Sequence, residues 1–419
     1  MKSKILNLIT NNNAVIKNLS YLSILQILNL LAPLIIYPYL IRVLGSNEYG
    51  KILFHQGGVA FFAIIINYGF YITGVKDVAE SSGDIKKLSS TVCNIFIIKF
   101  ALWFLCLLLV LMFNAFITYE VIDKKLLLIC FFSTFFELLF VQWFFQGVEN
   151  LKPITIINGL SKILIVVLTV LLVKDSTDLY IVPFVIAGVN FLTGIISIYL
   201  MVSIYNIKFF RPKYEALYSY FCNSTPIFIS NIIISIKDRT STILIGSLLG
   251  MSHVAIYDLA VRLLNISSLP ISILTDAFFP KAAREKNKSY LHFVIKTTLV
   301  ISLLILLFNQ ISLEYIVLLL AGPEMLDELH IYKLYLLIIP ISTLSLVFAR
   351  FGLIAFNHNK LYMRIIFYTV VFYISCLLIG WELNLLKNLY FYIGLSIACF
   401  LFELLTRFFA VYKLGLLKK

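Results

Sequence analysis

The chain has 419 residues, 61% of them hydrophobic and only 13% charged, with a formal charge of +13 and a mean hydropathy of +0.97. Water-soluble chains average about a quarter charged residues and could not cover this much apolar surface, which excludes a soluble enzyme or soluble binding module. Apolar runs of about 20 residues recur from end to end, each long enough to cross a hydrocarbon core ~30 Å thick, and the short alternating strands of an outer-membrane barrel are absent.

Residues 1–20 are polar and weakly basic. They lack the apolar core and small-residue cleavage site of a signal peptide, so the first span is expected to act as an uncleaved targeting signal. Apolar windows then predict twelve helices near 19–44, 52–75, 91–118, 126–146, 154–173, 179–204, 226–249, 254–280, 291–320, 331–356, 361–381 and 389–412. The predicted class is an all-α, polytopic membrane protein. Leu44-Gly45 recurs as Leu249-Gly250 at an equivalent turn in the second half. With the even span count, this repeat divides the chain into a six-helix lobe at 1–204, a cytoplasmic linker at 205–225 and a second six-helix lobe at 226–419.

Polar residues punctuate these spans in helical phase. Span one carries Gln26, Asn29, Pro33, Tyr37 and Pro38, the two prolines being expected to bend it. Span two adds Gln56, Asn67 and Tyr71; spans four and five add Ser133, Glu137, Asn158, Lys162 and Thr169. In span seven, Asn231, Ser235, Asp238, Arg239, Thr242 and Gly246 share a sector of about 100°, with Lys237 well off it and read as structural. Span eight repeats the pattern with Asp258, Arg262, Asn265, Ser272 and Asp276, of which Asp258 and Arg262 form an i,i+4 pair. Such stripes either hold a helix bundle together or face a wet cavity, since a charge at the bilayer centre costs about 2.5–3.5 kcal/mol. The charges of spans seven and eight exceed what internal pairing needs. Lys296, Lys333, Arg350, Arg364 and Arg407 lie nearer helix ends and are expected to snorkel to the headgroups.

Lys and Arg favour one side of this topology by roughly three to one, which puts both termini in the cytoplasm. The positive charge therefore reflects topology and contact with anionic lipid, with no nucleic-acid partner. No metal or other cofactor is expected. The five histidines are scattered, the six cysteines read as small buried hydrophobes, and the loop-like GSNEYGK at Gly45–Lys51 continues with Ile52 where a magnesium-binding hydroxyl would stand. Enzymes such as a membrane glycosyltransferase or polymerase are disfavoured by short outer loops of ~3–10 residues, below the usual size of a functional loop.

LLAPLIIYPYLIRVLGSNEYG (Leu30–Gly50) resembles the first-helix signature of bacterial O-antigen and related polysaccharide flippases of the Wzx type. WFFQGVEN (Trp143–Asn150), PIFISN (Pro226–Asn231), IYDLAVRL (Ile256–Leu263), FFPKAAR (Phe278–Arg284) and, more loosely, LLAGPE (Leu319–Glu324) resemble further elements in the same order. The resemblance implies a fold like that of multidrug-and-toxin extrusion (MATE) transporters, two six-helix lobes around a central cavity in the bacterial inner membrane. It implies a non-enzymatic function: moving oligosaccharide repeat units linked to undecaprenyl pyrophosphate from the cytoplasmic to the periplasmic leaflet by alternating access. Membrane lipids, a polysaccharide polymerase and a chain-length regulator are the candidate partners. A pyrophosphate leaving water needs fixed cations, for which Arg239 and Arg262 are assigned, with Arg42 at the outer mouth. Asn231, Asn29, Gln56 and Tyr37 are assigned to sugar, and Asp238 and Asp258 to charge balance or a coupling ion. The alternative on the same fold is an ion-coupled exporter of organic cations.

Overall fold

The computed structural model describes residues 2–81, 83–116 and 120–417, with the side chains of residues 2–20 and of Leu22, Leu30, Asp238, Ala277, Pro280, Lys281, Ala283, Glu285 and Asn359 also outside the described set. Among the described residues the regular structure is entirely helical. Ten segments are long and apolar enough to cross a membrane. The first of them, Ser23–Glu80, contains two of the expected spans, and helix α9 (Tyr214–Leu248), interrupted by charges, supplies the seventh. These make up the twelve.

Helix α1 (Lys2–Asn67) divides at Gly45, where φ is 76° and the backbone leaves the helix. An L side chain is strained there, and glycine is not. The backbone keeps helical φ/ψ through Pro33 and Pro38, and Gly45 is where it leaves the helix. A second interruption at Tyr68 and Gly69, both left-handed, separates α1 from α2 (Phe70–Glu80).

Two units emerge, 1–235 and 236–419. In the first, α3 (Ile85–Phe116) is followed by a fourth span made of three pieces, α4 (Lys124–Phe132), α5 (Phe135–Leu139) and α6 (Gln142–Gly147). Helices α7 (Lys152–Leu172), α8 (Ile181–Tyr205) and the first part of α9 complete it. Its core gathers Phe70, Val92, Trp143, Phe144 and Phe145. Helices α2 and α6 approach closely because both bring glycines: a Cβ on Gly147 would lie 2.6 Å from Val78, and one on Gly74 would lie 3.0 Å from Trp143.

The broken fourth span would be costly in lipid, since each unpaired backbone group there loses several kcal/mol. Side chains from neighbouring helices cover the breaks. Lys99 donates to the carbonyl of Glu137 at 2.6 Å, Ser197 to that of Leu139 at 3.1 Å, and Trp103 Nε1 to the Thr134 hydroxyl at 3.0 Å.

The second unit holds the rest of α9 with α10 (Met251–Glu285), α11 (Lys288–Ala321), α12 (Leu329–Tyr335), α13 (Ile338–Val347), α14 (Asn359–Glu382) and α15 (Leu389–Lys413). A π-helical turn, Phe348–Ile354, extends α13. It is marked by bonds five residues apart, Ala355 N–H to the Arg350 carbonyl and His358 N–H to that of Leu353. Its core packs Leu291, Val294, Val347, Phe351 and Val411.

One expectation fails here. Arg407 does not snorkel: it is 6% exposed, pairs with Glu403 one turn away, and donates to the Ser345 carbonyl at 3.1 Å and hydroxyl at 2.8 Å. The carboxylate and the Ser345 oxygens supply inside the bundle what the headgroups would supply outside. Arg350 likewise pairs with Asp276.

Candidate functional site

The second unit encloses a cavity of about 310 Å³ whose lining comes from five helices. Lys237 and Arg239 enter from α9, Tyr257 and Asn265 from α10, Tyr335 from α12, Tyr373 from α14, and Ser396, Cys399 and Phe400 from α15. Hydrogen bonds set the tyrosines: Tyr373 shares one with Ser241 at 2.8 Å, and Tyr257 one with Ser396 at 3.3 Å. The Lys237 ammonium lies 4.0 Å from Glu403 and 5.2 Å from the centre of the Phe400 ring. Two cations, three phenols, an amide and a hydroxyl thus line one space inside membrane-spanning helices. Such a wall offers charge to an anion and alternating donors and acceptors to a sugar.

Lys237, read from sequence as structural, pairs with Glu403 and also lines the cavity. The helical wheel separates it from Arg239, but a wheel projects Cα positions and ignores the reach of long flexible side chains. Arg262 and Asp258 pair with each other on α10 and are both half-buried; their neighbours Val261 and Asn265, and not they, line the cavity. The side chain of Asp238 lies outside the described residues.

The first unit has a second polar cavity, of about 290 Å³, at the break of the fourth span. Asn67, Tyr71, Glu137, Asn231 and Ser235 line it with Ala63, Ile64 and Ile234. Asn67 donates to the Glu137 carboxylate at 3.1 Å, and Tyr71 donates to the Asn231 side-chain oxygen at 3.2 Å. Asn231, assigned to sugar from sequence, thus shares this cavity with Asn67, Tyr71 and Glu137, which the sequence showed as separate polar stripes on spans two and four. Their pairing crosses from α1 and α2 to α5 and α9, a separation that no helical period can reveal.

The other assigned residues are dispersed along α1. Asn29 accepts from Asn158 at 3.3 Å, Gln56 is half-buried, and Arg42 is exposed. Tyr37 is fully buried, its ring 5.4 Å from that of Tyr49 in an edge-to-face contact. Among the described residues no group of three or more His, Cys, Asp or Glu converges as a metal site.

A family model described as "Polysaccharide biosynthesis protein" matches residues 15–285. The chain belongs to this family. A relative from Escherichia coli (strain K12), named "Putative O-antigen transporter", is 25% identical over 284 residues, 65% of this chain and 66% of the relative. The match thus spans just under two thirds of that relative's length. Among solved structures, "Lipid II flippase MurJ, inward closed conformation" superposes with a TM-score of 0.74 at 17% identity, covering 95% of this chain and 87% of that one. An inward-facing MATE-family multidrug resistance transporter of the MOP superfamily gives 0.69 at 13% identity, covering 96% of this chain and 100% of that one. The fold is therefore MATE-like, with twelve membrane helices, and the chain is a multi-pass membrane protein.

Proposed function

We propose that the protein is a flippase for oligosaccharide repeat units carried on undecaprenyl pyrophosphate, moving them from the cytoplasmic to the periplasmic leaflet of the inner membrane by alternating access, with both termini cytoplasmic. The observation that carries this reading is the second unit's cavity, where Lys237 and Arg239 stand among Tyr257, Tyr335 and Tyr373. A cation in a bilayer costs about 2.5–3.5 kcal/mol unless a partner or water receives it. Lys237 already lies 4.0 Å from Glu403, so it is Arg239, beside phenols and an amide, that best fits an anionic, hydroxyl-rich cargo. The name of the Escherichia coli relative, an O-antigen transporter, and that of the MurJ lipid II flippase support the same class.

In this reading Arg239 and Lys237 hold the pyrophosphate, with Arg262 as a further cation on α10 and Arg42 as an outer one. Asn231, Asn29, Gln56 and Tyr37 contact sugar, while Asp238 and Asp258 balance charge or bind a coupling ion. A polysaccharide polymerase and a chain-length regulator would receive the product. Arg239→Ala is expected to abolish surface polysaccharide while the protein stays membrane-inserted, with Arg239→Lys retaining part of it. Normal polysaccharide in Arg239→Ala cells overturns the site.

A second reading, export of organic cations, rests on the Glu137 carboxylate in the first unit's cavity. It requires that deleting the gene raise drug sensitivity and leave the surface glycan intact.

A further inference from the structure

The short helix α5 has two dissimilar faces. Glu137 points to the polar cavity of the first unit, whereas Phe135, Leu138 and Leu139 line a separate groove of about 570 Å³. All ten residues lining this groove are apolar. It is open on the side where α3 and α8 expose large hydrophobic side chains, among them Phe100 at 59% and Phe191 at 40%. In a membrane-spanning unit that side faces lipid. The groove exists because the fourth span is broken: a continuous helix would not present this offset piece, and Gly194 lets α8 close against Leu139.

One end of the groove carries a charge feature. Phe209 lines it and meets Phe96 edge-on, ring centres 6.1 Å apart. Phe209 belongs to a non-helical segment strapped across the start of α3, with Lys208 N–H donating to Ser89 Oγ at 3.0 Å and Phe210 N–H donating to Cys93 Sγ at 3.3 Å. The strap carries Lys208, Arg211 and Lys213, all exposed. An apolar channel ending in a basic strap complements a lipid with one long chain and a phosphate head.

We infer that this groove holds the polyprenyl chain of a polyprenyl-phosphate lipid, its phosphate near Lys208 and Arg211. The occupant's identity as the cargo's own tail rests on the flippase reading above. Phenylalanine rings give flat faces to the methyl-branched, unsaturated units of such a chain. The α5 wall then keeps the hydrocarbon on one side and polar groups on the other.

The test uses purified full-length protein and native mass spectrometry, with undecaprenyl phosphate, undecaprenol and dioleoyl phosphatidylglycerol as probes. Undecaprenyl phosphate should be retained about tenfold more tightly than phosphatidylglycerol. Ala101→Trp fills the groove from an exposed lining position and should weaken that retention about tenfold. If Ala101→Trp fails to insert, Ile97→Trp fills the same space. Replacing Lys208 and Arg211 together by Gln should weaken undecaprenyl phosphate but leave undecaprenol unchanged. Equal retention of phosphatidylglycerol, meaning an ordinary boundary lipid only, overturns the inference, as does full binding by a groove-filling variant. The two readings fail separately. Loss of binding in Ala101→Trp with normal surface glycan in Arg239→Ala keeps the groove and removes the transport site; the converse removes the groove alone.

Discussion

The ammonium of Lys99 on α3 donates to the main-chain carbonyl of Glu137 on α5, at 2.6 Å, with the lysine only 2% exposed. A buried lysine here closes a gap in another helix's backbone. Replacing it by Met keeps the length and removes the donor, leaving a buried carbonyl unsatisfied at a cost of about 1–3 kcal/mol. Lys99→Met should lower the thermal midpoint in detergent, while Lys99→Arg should lose less. An unchanged midpoint in Lys99→Met would show that the break is held by other bonds.

Gly194 tests the same break from α8. A Cβ there would lie 2.4 Å from the Leu139 Cβ, a clash that must displace α5 or α8. Gly194→Ala should destabilise the protein by about 1–3 kcal/mol. Removing the opposing Cβ with Leu139→Gly should recover part of that loss, whereas two additive losses in the double variant would deny the contact.

Glu403 lies between two cations. It pairs with buried Arg407 and lies 4.0 Å from Lys237. Glu403→Gln leaves Arg407 buried without its counter-charge, which costs about 3–5 kcal/mol. Removing both charges together, as Glu403→Leu with Arg407→Met, should cost less than Glu403→Gln alone. A thermal-shift cycle reads this directly, and a double variant as unstable as the single one contradicts the pairing. Because Lys237 lines the cavity, Glu403→Gln should also change transport in molecules that remain folded.

Asp123 gives a pH signature outside the membrane spans. Burial pushes its carboxyl upward, but the N–H groups of Leu126 and Lys125 and the Tyr180 hydroxyl outweigh that and hold it below the ordinary value of 3.8. A depressed carboxylate stabilises the fold above the unfolded-state value, and that stability is lost as pH falls through the folded one. Thermal midpoints should therefore fall more steeply below about pH 4 in the parent than in Asp123→Asn. Parallel curves for the two would remove the assignment.

The helices were readable because long apolar runs and their polar punctuation are local properties. Gly45 stood at the expected turn between spans one and two, and the aromatic Trp143–Phe145 run became core. The three-piece fourth span was not readable: its sequence, KKLLLICFFSTFFELLFVQWFFQG, contains no proline and no glycine before its last residue, and its few polar side chains do not mark a break. What breaks it is the supply of donors from Lys99, Trp103 and Ser197, residues 31–58 positions away. Candidate sites divide in the same way. Arg239 and Asn231 were legible from helical phase, but their companions Tyr373, Ser396 and Glu137 come from other helices. The Glu403–Arg407 spacing was visible, yet only packing shows that the pair turns inward.

The π turn at Phe348–Ile354 stores one residue more than an α-helix of the same length would need. Each residue turns a helix by about 100°, so deleting one here would restore α-register and rotate everything beyond it relative to α13. The meeting of Arg350 with Asp276, and of Gly352 with Val411, whose methyl lies 2.6 Å from a would-be Cβ, both depend on that extra residue. Variation in this span is therefore quantised: exchanging one side chain for another tunes a contact, whereas losing a single codon re-addresses every contact at once.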